Sequence, residues 1–454
     1  MQSLSAPLRS QDIPAVIPLI RTQIPGEKSR ELLKAQSELE TRSVIYPKSF
    51  PIAIKRIYDS IIEDADGNFL IDWVTGISVL NLGYSDIIKE AVSGQLSKTW
   101  HNLELPTETR IEFLRQVKKS FPDNMQNYRT LFGISGADAC ETAINMAHLV
   151  SGKPTASTIA FEGAYHGVSG GIVAATAGNN YRTPVYCRGF NIVRAPYPYE
   201  KWYHYDSNAT LAFLEKVMMD PEAGYDRPDS LIVEPIQGEG GYIVPPDGFL
   251  RSIREFCDAH DLIMIVDEVQ TGVGRTGRMW GFEWDGIKPD IVCASKSIGG
   301  GIPISIIYYR EDYDSKLPSP FHLGTYRANP LAMAAGTAVL REVPRHLDRV
   351  RVEGEKLRDA FVSIGSSLIA DVRGRGFMIG VELVENEKPL DKSRIMEIKH
   401  SNLRRGLMMH TCGHFGNVFR FMGALNIPSG YLDTGVRIFE ESLRAYGGKD
   451  RKTG

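Results

Sequence analysis

Three short, continuous apolar runs in this sequence each lead into a charged side chain that can do chemistry. The runs are LIV at 231–233, IMIV at 263–266 and IVCA at 291–294. Glu234 and Asp267 directly follow the first two runs, and Lys296 follows the third after one serine. Continuous apolar runs are typical of strands covered on both faces of a parallel sheet. Because ligands of such sheets bind beyond the carboxyl ends of the strands, the three side chains are predicted to share a site.

A lysine and a carboxylate at buried strand ends admit two interpretations. A buried lysine is costly unless it is paired, neutral or covalently used, and lysine amines form Schiff bases with carbonyl compounds such as pyridoxal phosphate. That cofactor also needs an anionic group at its pyridine nitrogen, because the protonated ring is the better electron sink. Lys296 and Asp267 suit these two roles. The alternative is a structural salt bridge in an ordinary α/β enzyme, and the spacing alone favours neither.

Longer motifs around the three residues favour the first interpretation. They are EPIQGEGG at 234–241, DEVQTGVGRTG at 267–277 and SKSIGGG at 295–301. In this order they resemble the signatures of the class III (ornithine/4-aminobutyrate-type) pyridoxal-phosphate-dependent aminotransferases. The resemblance implies that Lys296 is the Schiff-base lysine and that Asp267 is the partner of the pyridine nitrogen.

The same resemblance implies further contacts with the cofactor. Val269 is expected to pack on one face of the ring, Tyr165 to stack on the other, and Gln270 to bond the ring's phenolic oxygen. Glu234 is counted with these cofactor-binding residues. His166 follows Tyr165, and we interpret it as a hydrogen-bonded structural residue.

A glycine-flanked turn opens a predicted helix in residues 131–145 (LFGISGADACETAIN). The first turn of a helix offers free N–H groups and a positive dipole end, which suit a phosphate. The segment resembles the family's Ser-Gly-x-Glu/Asp-Ala phosphate cup, and this implies that Gly136 and Ala137 bind the phosphate. Asp138 in place of glutamate is similar to the diaminobutyrate aminotransferases of the family, as are residues 46–51 (YPKSFP) and 79–83 (VLNLG).

Two segments further along the chain also resemble the family. Residues 322–330 (HLGTYRANP) imply that Thr325 binds the cofactor phosphate of a neighbouring subunit, and hence a homodimer or a dimer of dimers. Arg420 lies where the family carries the arginine that holds a substrate carboxylate, a role suited to its bidentate geometry. MGAL at 422–425 departs from the family's Pro-Pro-Leu, so substrate choice is expected to differ.

Glu239 is the second glutamate of the first motif, and in the family this residue pairs with the late arginine. Here the pair is Glu239 with Arg420. When the two are paired, Arg420 is masked and a terminal amine can enter; when they are apart, Arg420 holds the α-carboxylate of glutamate or 2-oxoglutarate. The pair therefore predicts how one pocket accepts two substrates.

The predicted fold is α/β, with an aspartate aminotransferase-like architecture. Residues 1–75 form an N-terminal arm and meander, residues 76–340 a large cofactor-binding domain with a mostly parallel, seven-stranded sheet, and residues 341–454 a small α+β domain. A long surface loop or dimer contact is predicted at 180–205. Helices are predicted at 27–40, 87–97, 108–119, 331–341, 342–364, 391–405 and 430–445, and strands at 377–383 and 418–421.

Composition excludes several other functions. A net charge of −3 over 454 residues gives no reason to expect a nucleic acid or an anionic membrane as partner. The five cysteines include no C-x-x-C pair, which argues against disulfides and a metal site and favours the cytoplasm. No apolar run approaches the roughly 18 residues of a membrane span, and no targeting segment is predicted.

The expected function is transfer of an amino group to a 2-oxo acid such as 2-oxoglutarate. Expected donors are ω-amino or diamino acids such as 2,4-diaminobutyrate, ornithine or 4-aminobutyrate. One alternative is an amino-acid racemase or epimerase of the same family, which the motifs do not exclude. The other is a silent binding protein on the same scaffold, against which the joint presence of Lys296, Asp267 and Gln270 argues.

Overall fold

The computed structural model describes residues 12–154, 156–182 and 189–447. These residues form two compact units. The central unit is Ile87–Val350, and the terminal unit consists of the described parts of Met1–Asp86 and Arg351–Gly454. The predicted division into three domains stays a prediction.

The strands are, in chain order, β1 Ile54–Tyr58, β2 Ile61–Asp64, β3 Phe69–Asp72, β4 Tyr128–Gly133, β5 Ser157–Phe161, β6 Asn191–Ala195, β7 Ser230–Val233, β8 Ile263–Asp267, β9 Ile291–Ala294, β10 Ser305–Arg310, β11 Ile369–Arg375, β12 Met378–Glu385, β13 Lys388–Pro389, β14 Leu407–Met408, β15 His410–Cys412 and β16 Val418–Phe421.

The helices are α1 Glu27–Leu39, α2 Tyr46–Ser49, α3 Thr75–Ser78 (one turn with positive φ), α4 Asp86–Leu96, α5 Glu108–Ser120, α6 Gly136–Ser151, α7 Asn179–Arg182, α8 Glu200–Tyr203, α9 Ser207–Met219, α10 Phe249–Ala259, α11 Glu311–Asp314, α12 Pro330–Glu342, α13 Leu347–Ser363, α14 Lys392–Arg404 and α15 Ser429–Gly447. In the part of the chain that the structure describes, no helix has the length and apolar character that crossing a membrane requires.

The central unit is built on a seven-stranded sheet of order β4-β10-β9-β8-β7-β5-β6. Strand β10 runs antiparallel to both neighbours, and the remaining pairs are parallel. The predicted mostly parallel sheet is therefore confirmed. Helix α6 covers it through Ala139, Ala143 and Ala147, all fully buried. Small side chains at helical spacing allow the helix to lie close to the strands.

The terminal unit contains two smaller sheets. One has the order β1-β2-β3-β14, with β14 parallel to β3. The other is antiparallel, of order β11-β12-β16-β15. Trp73 is fully buried and makes edge contacts with Phe361 at 6.2 Å and Phe421 at 4.9 Å between ring centroids. An aromatic core therefore joins the chain before residue 86 to the chain after residue 351.

Two predictions of local structure are wrong in part. The loop predicted at 180–205 contains a strand, β6, and the short helices α7 and α8, while 183–188 lie outside the described residues. Strand β6 was missed because it is an edge strand with only Val193 and Ala195 buried, so its sequence has no apolar run. The helix predicted from 342 begins at Leu347, after a tighter turn at Val343–His346 that contains a proline.

Candidate active site

The three charged side chains that follow the apolar runs meet at one edge of the central sheet. Strands β7, β8 and β9 are neighbours and run parallel, so their carboxyl ends lie side by side. Glu234 follows β7, Asp267 is the last residue of β8, and Lys296 begins a turn just after β9. The predicted shared position is thus a direct result of strand order.

A cavity of about 320 Å³ opens at this edge. Nine of the eleven predicted site residues line it: Gly136, Ala137, Tyr165, Glu234, Glu239, Asp267, Val269, Gln270 and Lys296. The other lining residues are Ser135, His166, Gly167, Val168 and Ser169. All of them belong to the central unit. The remaining two predicted residues, Thr325 and Arg420, are not among the lining residues.

Lys296 has an unusual backbone conformation, with φ of 48°. A left-handed conformation costs a residue other than glycine on the order of 1–3 kcal/mol, and such strain concentrates at functional sites. The turn continues into Gly300 with φ of 57° and Gly301 with φ of 100°, conformations that glycine adopts readily. The glycine run after Lys296 therefore allows the chain to turn sharply at the strand end.

Asp267 is held by donors on both carboxylate oxygens. His166 Nδ1 donates to Oδ2 at 2.7 Å, and Cys140 Sγ lies 3.4 Å from the same oxygen. The backbone N–H of Val269 donates to Oδ1 at 2.9 Å. A hydrogen bond with Cys293, burial and the charge of Asp267 all raise the pKa of the Cys140 thiol. The thiol therefore stays protonated and acts as a donor, which fixes the carboxylate in place.

His166 was predicted to be a hydrogen-bonded structural residue, and it is hydrogen-bonded and buried. What the sequence did not indicate is that its partner is Asp267. The backbone N–H of His166 donates to Thr176 Oγ1 at 3.0 Å, and that hydroxyl donates to the Gly167 carbonyl at 2.7 Å. The imidazole is thus held by its own loop and orients the carboxylate.

Arg194 on β6 stabilises the loop that carries His166, a role that the sequence did not indicate. Its guanidinium donates to the carbonyls of Phe161, Ala174, Ala175 and Thr176 at 2.6–3.3 Å. These carbonyls flank the segment that carries Tyr165 and His166. Strand β6, which lies in the segment that was predicted to be a loop, therefore stabilises one wall of the cavity.

Glu234 shapes the cavity through the backbone. Its carboxylate accepts from the N–H of Tyr165 at 2.9 Å and from the N–H of Gly238 at 2.8 Å. Burial raises the pKa of Glu234 to about 7, His166 opposes this shift and Asp267 adds to it. The side chain thus links the first motif to the loop that carries Tyr165.

The start of helix α6 closes the other end of the cavity. Ser135 caps the helix, with its hydroxyl accepting from the N–H of Asp138 at 3.2 Å. A Cβ on Gly136 would come within 2.8 Å of Val269 Cγ1, so the glycine permits the close approach of helix and second motif. This 16-residue helix directs the free N–H groups and positive dipole of its first turn to the cavity edge, where an anion is favoured.

The cavity fits pyridoxal phosphate on the chemistry of its donor set. Gln270 buries both its Nε2 and its Oε1, and His166 buries its Nε2, with no hydrogen-bond partner among the described residues. Buried polar atoms of this kind are normally satisfied, so a polar ligand is expected beside them. An anion-binding helix start and the Asp267 carboxylate match a cofactor with a phosphate and a protonated ring nitrogen.

Thr325 and Arg420 lie elsewhere in the chain. Thr325 is exposed in the central unit, and its carbonyl accepts from His101 Nε2 at 2.9 Å. Arg420 is buried on β16 in the terminal unit, directly opposite His410 on β15. The predicted roles of both residues, and the predicted pairing of Arg420 with Glu239, stay predictions.

The chain is also similar over most of its length to proteins that are already known. A model of the family described as Aminotransferase class-III matches residues 45–443. A diaminobutyrate–2-oxoglutarate aminotransferase of Rhizobium meliloti is 34% identical over 88% of this chain and 90% of that protein. A 4-aminobutyrate aminotransferase of Mycobacterium leprae is 33% identical over 93% of this chain and 97% of that protein. A pyridoxal-phosphate-bound amine transaminase structure from an uncultivated Pseudomonas species, 25% identical, superposes with a TM-score of 0.82 over 89% of this chain and 97% of that chain.

Proposed function

We propose that this chain, which belongs to the class III aminotransferases, moves the terminal amino group of a diamino or other ω-amino acid to a 2-oxo acid, with 2-oxoglutarate as acceptor. It is a pyridoxal-phosphate-dependent aminotransferase. The observation that carries the proposal is the convergence of Lys296, Asp267 and Gln270 on one cavity beside the start of α6. Support for the donor class comes from relatives named for diaminobutyrate and for 4-aminobutyrate.

Each residue at the cavity has a distinct task in this proposal. When bound, the cofactor supplies an electron sink for negative charge at the substrate carbon. Asp267 keeps a proton on the ring nitrogen, and His166 and Cys140 hold the carboxylate in position for this. Gly136 and Ala137 hold the phosphate through backbone N–H groups. Lys296 anchors the cofactor and, once its amine is free, moves the proton from the amino-bearing carbon of the donor.

The proposed donor class is tested by assaying a panel of amino donors one at a time. Holoenzyme with 2-oxoglutarate is expected to form glutamate rapidly from 2,4-diaminobutyrate, ornithine or 4-aminobutyrate, and at least about tenfold more slowly from monoamino acids that have only an α-amino group. Coupled detection of glutamate measures this. Optical activity of the chiral donors, such as 2,4-diaminobutyrate and ornithine, is followed in parallel without any oxo acid. Loss of optical activity with no glutamate from any donor would reassign the chain as a racemase.

Glu239 and Arg420 are proposed to let one site accept both half-reactions. Glu239 lines the cavity that holds Lys296, and Arg420 belongs to the terminal unit. Paired with Glu239, the guanidinium is masked while the terminal amine of the donor reacts. Released, it binds the α-carboxylate of glutamate or 2-oxoglutarate in a bidentate manner.

The Glu239→Gln substitution is expected to slow the half-reaction with the ω-amino donor roughly tenfold, the effect of losing a charged hydrogen bond worth about 1.5 kcal/mol. The half-reaction with glutamate is expected to change less than about threefold, because there the pair must open in any case. Stopped-flow absorbance with each substrate alone measures the two rates. Glu222→Gln, at an exposed site, serves as the control. If the substitution slowed both half-reactions equally, the proposed switching of Arg420 by Glu239 would be disproved, and the assignment as an aminotransferase would stand.

The assembly and location are also proposals. We expect a homodimer or a dimer of dimers in which Thr325 reaches the cofactor phosphate of the neighbouring subunit, a role supported by its exposed position in a segment of the family's pattern. A cytoplasmic location is supported by Cys140, Cys257 and Cys293, which are buried and form no disulfide among the described residues.

A further inference from the structure

Three side chains that can carry positive charge converge in the terminal unit. They are Lys399 on α14, His410 on β15 and Arg420 on β16. Lys399 and Arg420 are each only 2% exposed. His410 and Arg420 are directly opposed across two antiparallel strands, which places both side chains on the same face of the sheet. The three elements therefore bring two buried cationic side chains and an imidazole to one place.

An aromatic wall extends from this cluster toward solvent. The Lys399 ammonium lies 4.5 Å from the centroid of the Phe50 ring. The His410 ring lies 5.5 Å from Phe50 and 5.8 Å from Tyr46, both in edge contacts. Tyr46 is 49% exposed. The buried Phe50 ring thus lies between the Lys399 ammonium and the His410 ring, and Tyr46, also in contact with His410, reaches the surface.

The electrostatics of the cluster favour an anion. Burial and the charge of Arg420 lower the pKa of Lys399 to about 7. Burial, Arg420 and Lys399 lower the pKa of His410 to about 2, so the imidazole is neutral. In the described part of the chain, the Lys399 ammonium makes no ion pair with a carboxylate. A buried cation beside a second cation is costly, and a bound carboxylate would offset that cost.

We infer that Lys399 and Arg420 together bind one carboxylate group of the substrate, with Phe50, Tyr46 and neutral His410 as walls. This rests on the proposed function, in which Arg420 holds the substrate carboxylate, and it adds Lys399 as the second cation. The ligand class is a short-chain carboxylate such as a 2-oxo acid. Lys399 is thereby a binding residue that sets affinity for the acceptor, and it takes no part in proton transfer.

The test is binding of glutarate, an unreactive dicarboxylate, to the intact holoenzyme by calorimetry. Lys399→Met keeps an apolar chain of similar length against Phe50 and removes the charge. It is expected to weaken glutarate binding roughly 10- to 100-fold, the worth of one charged hydrogen bond. It is also expected to raise the KM for 2-oxoglutarate by a similar factor, with kcat changed less than about twofold. Lys392→Met, exposed on the same helix, is expected to match the wild type.

Two further comparisons test whether the negative charge of the ligand and the positive charge at residue 399 are what binding requires. Glutaramide, which has the same carbon chain and no charge, is expected not to bind any of the variants, and inorganic phosphate is expected to bind more weakly than glutarate. Lys399→Arg, which keeps a positive charge, is expected to bind glutarate nearly as well as the wild type. Lys399→Gln, which keeps a polar side chain without the charge, is expected to bind it as weakly as Lys399→Met. The comparison of arginine with glutamine decides the question if the methionine variant folds poorly.

Glutarate binding by Lys399→Met equal to that of the wild type would overturn the inference, as would tighter binding of phosphate than of glutarate. Failure of the wild type to form glutamate from any donor would instead overturn the proposed function, and the effect of Lys399→Met on glutarate binding could still be measured.

Discussion

The Lys296→Ala variant is expected to keep its fold and its ability to bind pyridoxal phosphate, and to transfer amino groups at least about 10³-fold more slowly than the wild type. Two roles are lost with the amine: anchoring of the cofactor and proton transfer at the substrate carbon. General acid–base catalysis alone contributes about 10²–10⁴-fold. The strained φ of 48° at this position is no better or worse for alanine than for lysine, so the fold is expected to persist.

Absorbance and mass measurements test the role of Lys296 directly. The purified wild type is expected to show a visible band that disappears on borohydride reduction, with the cofactor then recovered on the peptide that contains Lys296. Single-turnover rates with a good donor compare the variants. Lys216→Ala, at an exposed site on α9, is the control and is expected to behave as the wild type. Full activity of the Lys296→Ala protein would disprove the mechanism.

The Asp267→Asn variant is expected to fold normally and to lose activity by about 10²–10³-fold, which corresponds to about 2.7–4 kcal/mol for the loss of one preorganised electrostatic group. Asparagine has nearly the same shape, and its side-chain oxygen can still accept from the Val269 N–H or from His166. What is lost is the negative charge that keeps the ring nitrogen protonated. The loss is expected mainly in kcat, because the charge acts on negative charge that develops in the transition state.

The neighbouring Glu268 provides a matched control for Asp267. It is also buried, burial raises its pKa to about 7, and it accepts from Thr271 Oγ1 and the Phe282 N–H instead of lining the cavity. Glu268→Gln is expected to lower the melting temperature and to reduce kcat by less than about tenfold. Steady-state kinetics and thermal melts of both variants decide the question. Near wild-type kcat in Asp267→Asn would make Asp267 a structural residue.

Local sequence was sufficient for the elements that position the site. Strands β7, β8 and β9 were predicted from continuous apolar runs, and the residues at their ends were predicted to meet because parallel neighbours end at the same edge. Helix α6 was predicted from its glycine turn and alanine spacing, and it begins at Gly136 as expected. These predictions succeeded because each depends on residues close together in the chain and on a periodicity that burial imposes.

Edge and boundary elements were predicted less well. Strand β6 has one face and one edge open to solvent, so its sequence N-I-V-R-A satisfies no buried-strand pattern. This segment forms a strand because it pairs with β5, and that pairing leaves no pattern in its own sequence. The start of α13 was misplaced because helix boundaries depend on local hydrogen bonding around Pro344 rather than on apolar periodicity.

By itself, the sequence determined the family and the cofactor, because the motifs that carry them are contiguous and the chemistry constrains their spacing. It also predicted the residues that contact the cofactor, and these roles stay predictions. Only the tertiary structure decided that His166 and Cys140, 101 and 127 positions before Asp267 in the chain, orient its carboxylate, and that Arg194 secures the loop that holds His166. It likewise decided that Lys399 lies buried near Arg420. Hydrogen bonds and charge contacts between such distant residues leave no local pattern, since they are created by the packing of elements that the sequence specifies separately.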